Sequence, residues 1–386
     1  MKTEKHVILT AVLFFALTLI AFPAFPGEAA HFTFTKTGPL IMRPEGMRPP
    51  GPFFTCLVDM REVEDFPYDF ALYFSTDHGR RGGIWLYVCN GIPTEAGNWK
   101  SYNEAVAEGA FDYLERKPEG NPIFIDTTQG TQTETPCINR IAGTYYMTYH
   151  NAGAGHSQST LLATSKDAVN FARINGDANS IILDYDPKKA PGNGHTGYLR
   201  WRPNPFPGLA AKYMGYALHG GGDNFYGSLW VSDDAVHWER ARVFASIEGH
   251  AIDENHIVRR RALDPNSIMP VGNGEYVAIG SAGERSSGGR KRTLELYEIF
   301  PADDGQALTR RSRKILGVGP PGSYDTEEVD SPSCVVIDGT WHMVYVGVTD
   351  NAGVNTVMGA TGTFDPSAPK PPKLTPEERT RDLLGK

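Results

Sequence analysis

The sequence predicts an all-β protein, a five-bladed β-propeller of four-stranded antiparallel blades. Three observations carry this reading. First, a phrase of acid, spacer and proline recurs ahead of an aromatic-rich strand. Glu134-Thr135-Pro136 precedes Gly143-Thr144-Tyr145-Tyr146-Met147-Thr148-Tyr149, and Asp330-Ser331-Pro332 precedes Gly339-Thr340-Trp341-His342-Met343-Val344-Tyr345. Ten positions separate Pro136 from Tyr146 and Pro332 from His342; Arg202-Pro203 leads to Tyr213-Met214-Gly215-Tyr216 at ten, and Asp264-Pro265 to Gly274-Glu275-Tyr276 at eleven. Second, Ala163-Thr164-Ser165-Lys166-Asp167-Ala168-Val169-Asn170-Phe171 matches Trp230-Val231-Ser232-Asp233-Asp234-Ala235-Val236-His237-Trp238. Each is a strand that ends in Ser-x-Asp, turns, and returns through an aromatic; the Asp carboxylate suits the turn because it can cap backbone N–H groups. Third, runs of alternating aromatic and β-branched residues stand between clusters of Gly, Asn and Asp, the pattern of short strands and turns. Repetition on this scale decides architecture before local propensity does.

At the N-terminus, Lys2 and Lys5 precede an apolar run from Val7 to Phe22, and then Gly27-Glu28-Ala29-Ala30. A charged start, an apolar stretch and a small-x-small site describe a cleavable export leader, residues 1–29. The run is shorter than the ~20 residues of a spanning helix, so the expectation is a periplasmic or extracellular protein with no membrane attachment after cleavage. Residues 30–52 hold a short strand, His31 to Lys36, placed to pair into the last blade, and a Pro-rich connector. The propeller spans 53–364, with blades near 53–100, 133–174, 198–244, 262–315 and 328–364. Only Asn103 to Leu114 reads as helix, and 365–386 reads as a disordered or partly helical tail. A length of 386 residues suits one closed all-β unit, and a formal charge of -8 disfavours a nucleic-acid partner. Cys56, Cys89, Cys137 and Cys334 lack zinc spacing; three of them fall on predicted inner strands, where a buried free thiol behaves as a small hydrophobe.

In a propeller the first strand of each blade starts at one face of the central channel, and the loop between its second and third strands returns to that face. The strand starts would present Glu134, Arg200 or Arg202, Asp264 and Asp330. The loops would add Asp77 and His78, His150 and His156, His219 and Asp223, Glu284 and Arg285, and Asp350 and Asn351. Polar groups that converge on one funnel from distant parts of a chain form a candidate site. Two carboxylates across a cleft are the minimum machinery for glycoside hydrolysis: one protonates the leaving oxygen, the other activates water or attacks. Glu134, flanked by uncharged Thr133, Thr135 and Pro136, is the candidate acid, and Asp264 and Asp330 compete for base. Trp201, Phe225 and Tyr226 offer flat apolar surface to a sugar ring beside the Gly-rich stretch His219 to Asn224. Substrate contacts are expected from Arg200, Trp201, Arg202, His150, His156, His219, Asp223, Glu284 and Arg285.

The acid-x-Pro opening, the Gly-Thr-Tyr-Tyr-Met-Thr-Tyr strand and the Ser-x-Asp-x-x-x-aromatic turn together resemble the five-bladed β-propeller glycosidases over about residues 50–364. These are glycoside hydrolase family 43 and relatives such as families 32, 62, 117 and 130. In the arabinanase and xylosidase branch the resemblance implies an Asp base, an Asp that tunes the acid, and a Glu acid, from consecutive inner strands. This sequence departs from that layout. Its first blade opens Phe53-Phe54-Thr55-Cys56 and its third Trp201-Arg202-Pro203, so acids stand at blades two, four and five. The implied function is an exported glycoside hydrolase acting on a polysaccharide or oligosaccharide. The alternatives are a non-catalytic carbohydrate-binding propeller and a polysaccharide lyase, in which His156, His219 or a Tyr removes a proton and Arg202 neutralises a uronate. No cofactor is required on this reading, a structural cation in the channel is compatible with it, and the partner is carbohydrate.

Overall fold

The computed structural model of the protein describes residues 29–377 apart from 43, 45, 48–50, 76–81, 129–131, 153–157, 177–179, 185–194, 222–223, 247–250, 254–255, 258–262, 286–291, 306–307 and 350–354. Nearly all its regular structure is β. Strand β1 (Phe32–Ile41) precedes a first unit of β2 (Phe53–Asp59), β3 (Phe70–Ser75), β4 (Trp85–Cys89) and β5 (Trp99–Ser101), followed by helix α1 (Tyr102–Ala107). The second unit holds β6 (Glu134–Ile141), β7 (Thr144–Ala152), β8 (Gln158–Ser165) and a fourth strand split into β9 (Ala172–Arg173) and β10 (Ile181–Leu183). The third holds β11 (His195–Pro203), β12 (Tyr213–Gly221), β13 (Asn224–Ser232) and β14 (Glu239–Ser246). A small hairpin, β15 (Ala251–Asp253) and β16 (His256–Ile257), separates it from the fourth, β17 (Leu263–Pro270), β18 (Tyr276–Arg285), β19 (Arg292–Ile299) and β20 (Arg313–Leu316). The fifth holds β21 (Glu328–Ile337), β22 (Thr340–Val348) and β23 (Thr356–Phe364). Within each unit the first three strands pair antiparallel in sequence order, and β1 pairs antiparallel with β23 to supply the fifth unit's fourth strand, Phe32 opposite Phe364.

The sheets are apolar on both faces, and each face is buried against a neighbour. Tyr73 and Leu86 of the first unit share a core with Met147 and Tyr149 of the second. Cys137 meets Leu199 and Trp201, Met214 meets Ile268 and Ala278, and Leu296 meets Trp341 and Met343. Val344 and Val357 then share a core with Leu72 and Phe74, which returns to the first unit. The first strands follow the same order: β2 touches β6, β6 touches β11, β11 touches β17, β17 touches β21, and β21 touches β2.

Neighbouring first strands are not paired directly with one another, although single parallel pairings of β8 with β11 and of β19 with β21 join units into larger sheets; side chains bridge the first strands instead. Ile138 N donates to Cys56 Sγ (3.3 Å), Trp201 N to Cys137 Sγ (3.5 Å), Cys334 N to Asp264 Oδ2 (2.9 Å) and Leu57 N to Ser333 Oγ (2.9 Å). Between β11 and β17 the pattern changes, because the position that should donate is Pro265, which has no N–H. There Arg202 Nη1 donates to the Pro265 carbonyl at 2.8 Å. All four cysteines are free and buried, and two of them serve as these acceptors. Ser333→Ala should therefore lower stability by about 1–3 kcal/mol in denaturant titration, because it leaves the buried Leu57 N–H unmet. An unchanged midpoint would remove the bridging role.

Local chemistry matches the repeated phrases. Asp167 Oδ1 accepts from Val169 N and Asn170 N at 2.9 and 2.7 Å, and Asp234 Oδ1 accepts from Val236 N and His237 N at 2.8 Å. Tyr149 and Tyr345, which close the two Gly-Thr phrases, each donate to a buried aspartate in the preceding loop, Asp126 and Asp325. The helix expected to run to Leu114 is shorter. Ser101 and Glu104 form its capping box, and Gly109 in left-handed conformation (φ 82°) follows its C-cap. The segment read as a disordered or partly helical tail is anchored as far as it is described: Leu374 is buried with Ile299 and Leu308, and Glu275 pairs with both Arg310 and Lys370. Among the described residues no helix is long and apolar enough to cross a membrane; the apolar N-terminal run lies outside them.

Candidate active site

The site is built from one irregularity repeated at the start of the first strands. In β2, β6, β11 and β21 the register slips by one residue, and the residue at the slip is left-handed: Phe54 (φ 52°), Thr135 (φ 54°), Tyr198 (φ 60°) and Ser331 (φ 54°). Bulky or β-branched residues with such φ values are strained, and strain of this kind collects at functional sites. The residue before each slip is Phe53, Glu134, Gly197 and Asp330 in turn. Carboxylates therefore stand at this level on the second and fifth units, on either side of the first.

This register corrects two of the four sequence phrases. Arg202-Pro203 is not a strand start: Pro203 pairs with Tyr213 at the far end of β11, and the counterpart of Glu134 is Gly197. Asp264 also differs from Glu134 and Asp330. It takes the bridging place filled by Cys56, Cys137 and Ser333, three residues further along, with Oδ2 on Cys334 N and Oδ1 on Asn266 N (3.1 Å). Its carboxyl is committed to the scaffold. Burial pushes its pKa up, and Arg200 opposes that.

Arg200 sits at the same level and is spent in the same way. Its Nη1 donates to the Pro332 carbonyl at 2.6 Å and its Nη2 to the Thr55 carbonyl at 2.5 Å, so the side chain spans from the third unit to the first and fifth. Glu134 and His150 face each other across β6 and β7, Oε2 and Nδ1 3.9 Å apart, both fully buried. The Tyr198 ring stands edge-on to His150 (5.0 Å, 87°) and stacks on Phe54 (4.5 Å, 23°). Asp330 is fully buried and accepts from Ser331 N at 2.7 Å. The arrangement offers two carboxyl groups and an imidazole beside an apolar aromatic wall.

Other expected contacts fall elsewhere. Trp201 is no sugar platform; it is fully buried in the core between Tyr213 and Trp238, because its position on β11 faces the second unit. Arg202 is held at the opposite end of β11. Asp77, His78, His156, Asp223, Asp350 and Asn351 lie outside the described residues. His219, Glu284 and Arg285 are placed by backbone register alone, His219 opposite Thr196 and Arg285 opposite Arg292, at the end where the first strands begin. Sequence reasoning missed Phe54, Thr135, Tyr198 and Ser331. The available signal was that Thr135 and Ser331 hold the same place in the two strictest phrases. Among the described residues no group of three or more His, Cys, Asp or Glu could hold a metal ion.

No known family profile matches the sequence, and no curated protein matches it. Solved structures do. A glycoside hydrolase superposes with a TM-score of 0.55 at 14% identity, over 88% of this chain and 95% of its own. An N-acetylgalactosamine deacetylase from F. plautii, solved with blood group B trisaccharide, gives 0.54 at 13%, over 92% and 99%. An exo-1,5-α-L-arabinanase from a bovine ruminal metagenomic library gives 0.52 at 11%, over 84% and 97%. The chain has the fold of the propeller-type glycoside hydrolases, in agreement with the resemblance of its motifs.

Proposed function

We propose that the protein is an exported glycoside hydrolase, a closed five-bladed propeller whose central site uses Glu134 as acid and Asp330 as base. The cyclic order of first-strand contacts and of shared cores supports the ring. The observation that carries the chemistry is the placement of Glu134 and Asp330 at equivalent buried positions on the two units that flank the first. A carboxyl kept from bulk water beside a second one is the setting for acid and base work on a glycosidic bond. Asp264, the rival base, is engaged by two backbone N–H groups and serves the scaffold. The apolar N-terminal run supports export into the periplasm or medium.

The lyase alternative loses support, since Arg202, its candidate for neutralising a uronate, is held at the other end of β11. A non-catalytic carbohydrate-binding propeller is favoured by one observation: Phe53 and Gly197 stand where a carboxylate would complete a set of three. Incubation with a panel of polysaccharides and aryl glycosides separates the readings. New reducing ends, without the ultraviolet absorbance of an unsaturated uronate, are expected. Binding without cleavage would move the protein to the second reading.

A further inference from the structure

Thr135 and Ser331 share four features. Each follows a buried acid, each is left-handed, each is buried (5% and 0% exposed), and each carries a hydroxyl with no hydrogen-bond partner among the described residues. A buried hydroxyl without a partner is costly, so its persistence at two equivalent positions points to a ligand. Both are also held from the first unit: Ser75 Oγ accepts from Thr135 N (3.1 Å), and Thr55 Oγ1 donates to the Ser331 carbonyl (2.6 Å). Two strained turns are thus pinned from the two sides of one sheet, which fixes their hydroxyls before anything binds.

We propose that the Thr135 and Ser331 hydroxyls are specificity-determining groups that bind two hydroxyls of a neutral sugar. This inference rests on the carbohydrate reading. A protein hydroxyl both donates and accepts, as a sugar hydroxyl does, so each can serve as donor or acceptor to its partner. A carboxyl group in the base role, as proposed for Asp330, disfavours an anionic sugar. Arg200, the cation among the described residues that spans this channel, is already committed to two carbonyls.

Thr135→Val keeps the branched shape and removes the hydroxyl; Ser331→Ala does the same at the second position. Arabinohexaose and blood group B trisaccharide serve as neutral probes in titration calorimetry, oligogalacturonate as the charged control, and a glycan array as the wider screen. Each substitution should weaken binding of a neutral glycan roughly tenfold, the worth of one hydrogen bond in a desolvated site. Without ligand, the melting temperature of each variant should stay level or rise, because an unmet buried hydroxyl has been removed. Variant affinity within twofold of the wild type, a fall in melting temperature beyond about 4 °C, or preferential binding of oligogalacturonate would each overturn the inference while leaving a carbohydrate site in place. Failure of the wild-type protein to bind any glycan on the array would remove the carbohydrate reading and this inference with it.

Discussion

Glu134→Gln is expected to lower turnover by about 10²–10⁴-fold, the usual worth of a positioned proton donor, while leaving glycan affinity near that of the wild type. Gln keeps the shape of Glu and most of its hydrogen bonds but has no proton to give. Glu134 is fully buried opposite His150, so an isosteric change there also spares the surrounding contacts of β6 and β7. The loss should shrink on aryl glycosides with acidic phenols, whose departure needs little protonation. Asp330→Asn should behave differently, with activity lost on every leaving group, as befits the base. Comparison of kcat on a poor and a good leaving group for both variants is the decisive measurement. Full activity in Glu134→Gln would take Glu134 out of the mechanism, and equal losses on both substrates would make it something other than the acid.

Arg200→Met should destabilise the fold by about 3–5 kcal/mol, the scale seen when one partner of a buried ionic pair is removed. The guanidinium donates to Thr55 and Pro332 carbonyls on two other units, and its charge offsets that of Asp264. Methionine fills part of the volume and meets neither requirement. The dependence on pH has a defined sign. Burial raises the Asp264 pKa above its ordinary value of 3.8. The folded chain therefore holds that proton more tightly than the unfolded chain, and this group's contribution to stability falls as pH rises from 3.8 through the folded value. Without Arg200 the fall should be larger. The variant should thus be most impaired at neutral pH and less so in acid, where Asp264 is protonated. Denaturant titrations of both proteins at neutral and acid pH test this, and a loss below about 1 kcal/mol at neutral pH would show that Arg200 does not hold the units together.

Much of the scaffold was legible because it rests on short-range chemistry. The Gly-Thr phrases mark second strands, the Ser-x-Asp turns cap their own N–H groups, and alternation at Phe32 to Lys36 marks a strand even where its partner is hundreds of residues away. The equivalence of Glu134 and Asp330 was legible for the same reason, since each stands directly ahead of one spacer residue and a proline. Arg202-Pro203 misled because the same dipeptide pattern suits both the start of a strand and its turn end, and Asp264-Pro265 because its acid takes the bridging place on Cys334 N. A one-residue slip is set by what a strand meets on its neighbours, not by its own residues. Asp264 became a scaffold residue through Cys334, Arg200 through Thr55 and Pro332, and Trp201 a core residue through Trp238. Local sequence carried the all-β class and the recurring unit, and placed acids directly ahead of Thr135 and Ser331. Which polar residues hold the units together was decided by folding, because burial and hydrogen-bond satisfaction depend on atoms that only folding brings into contact.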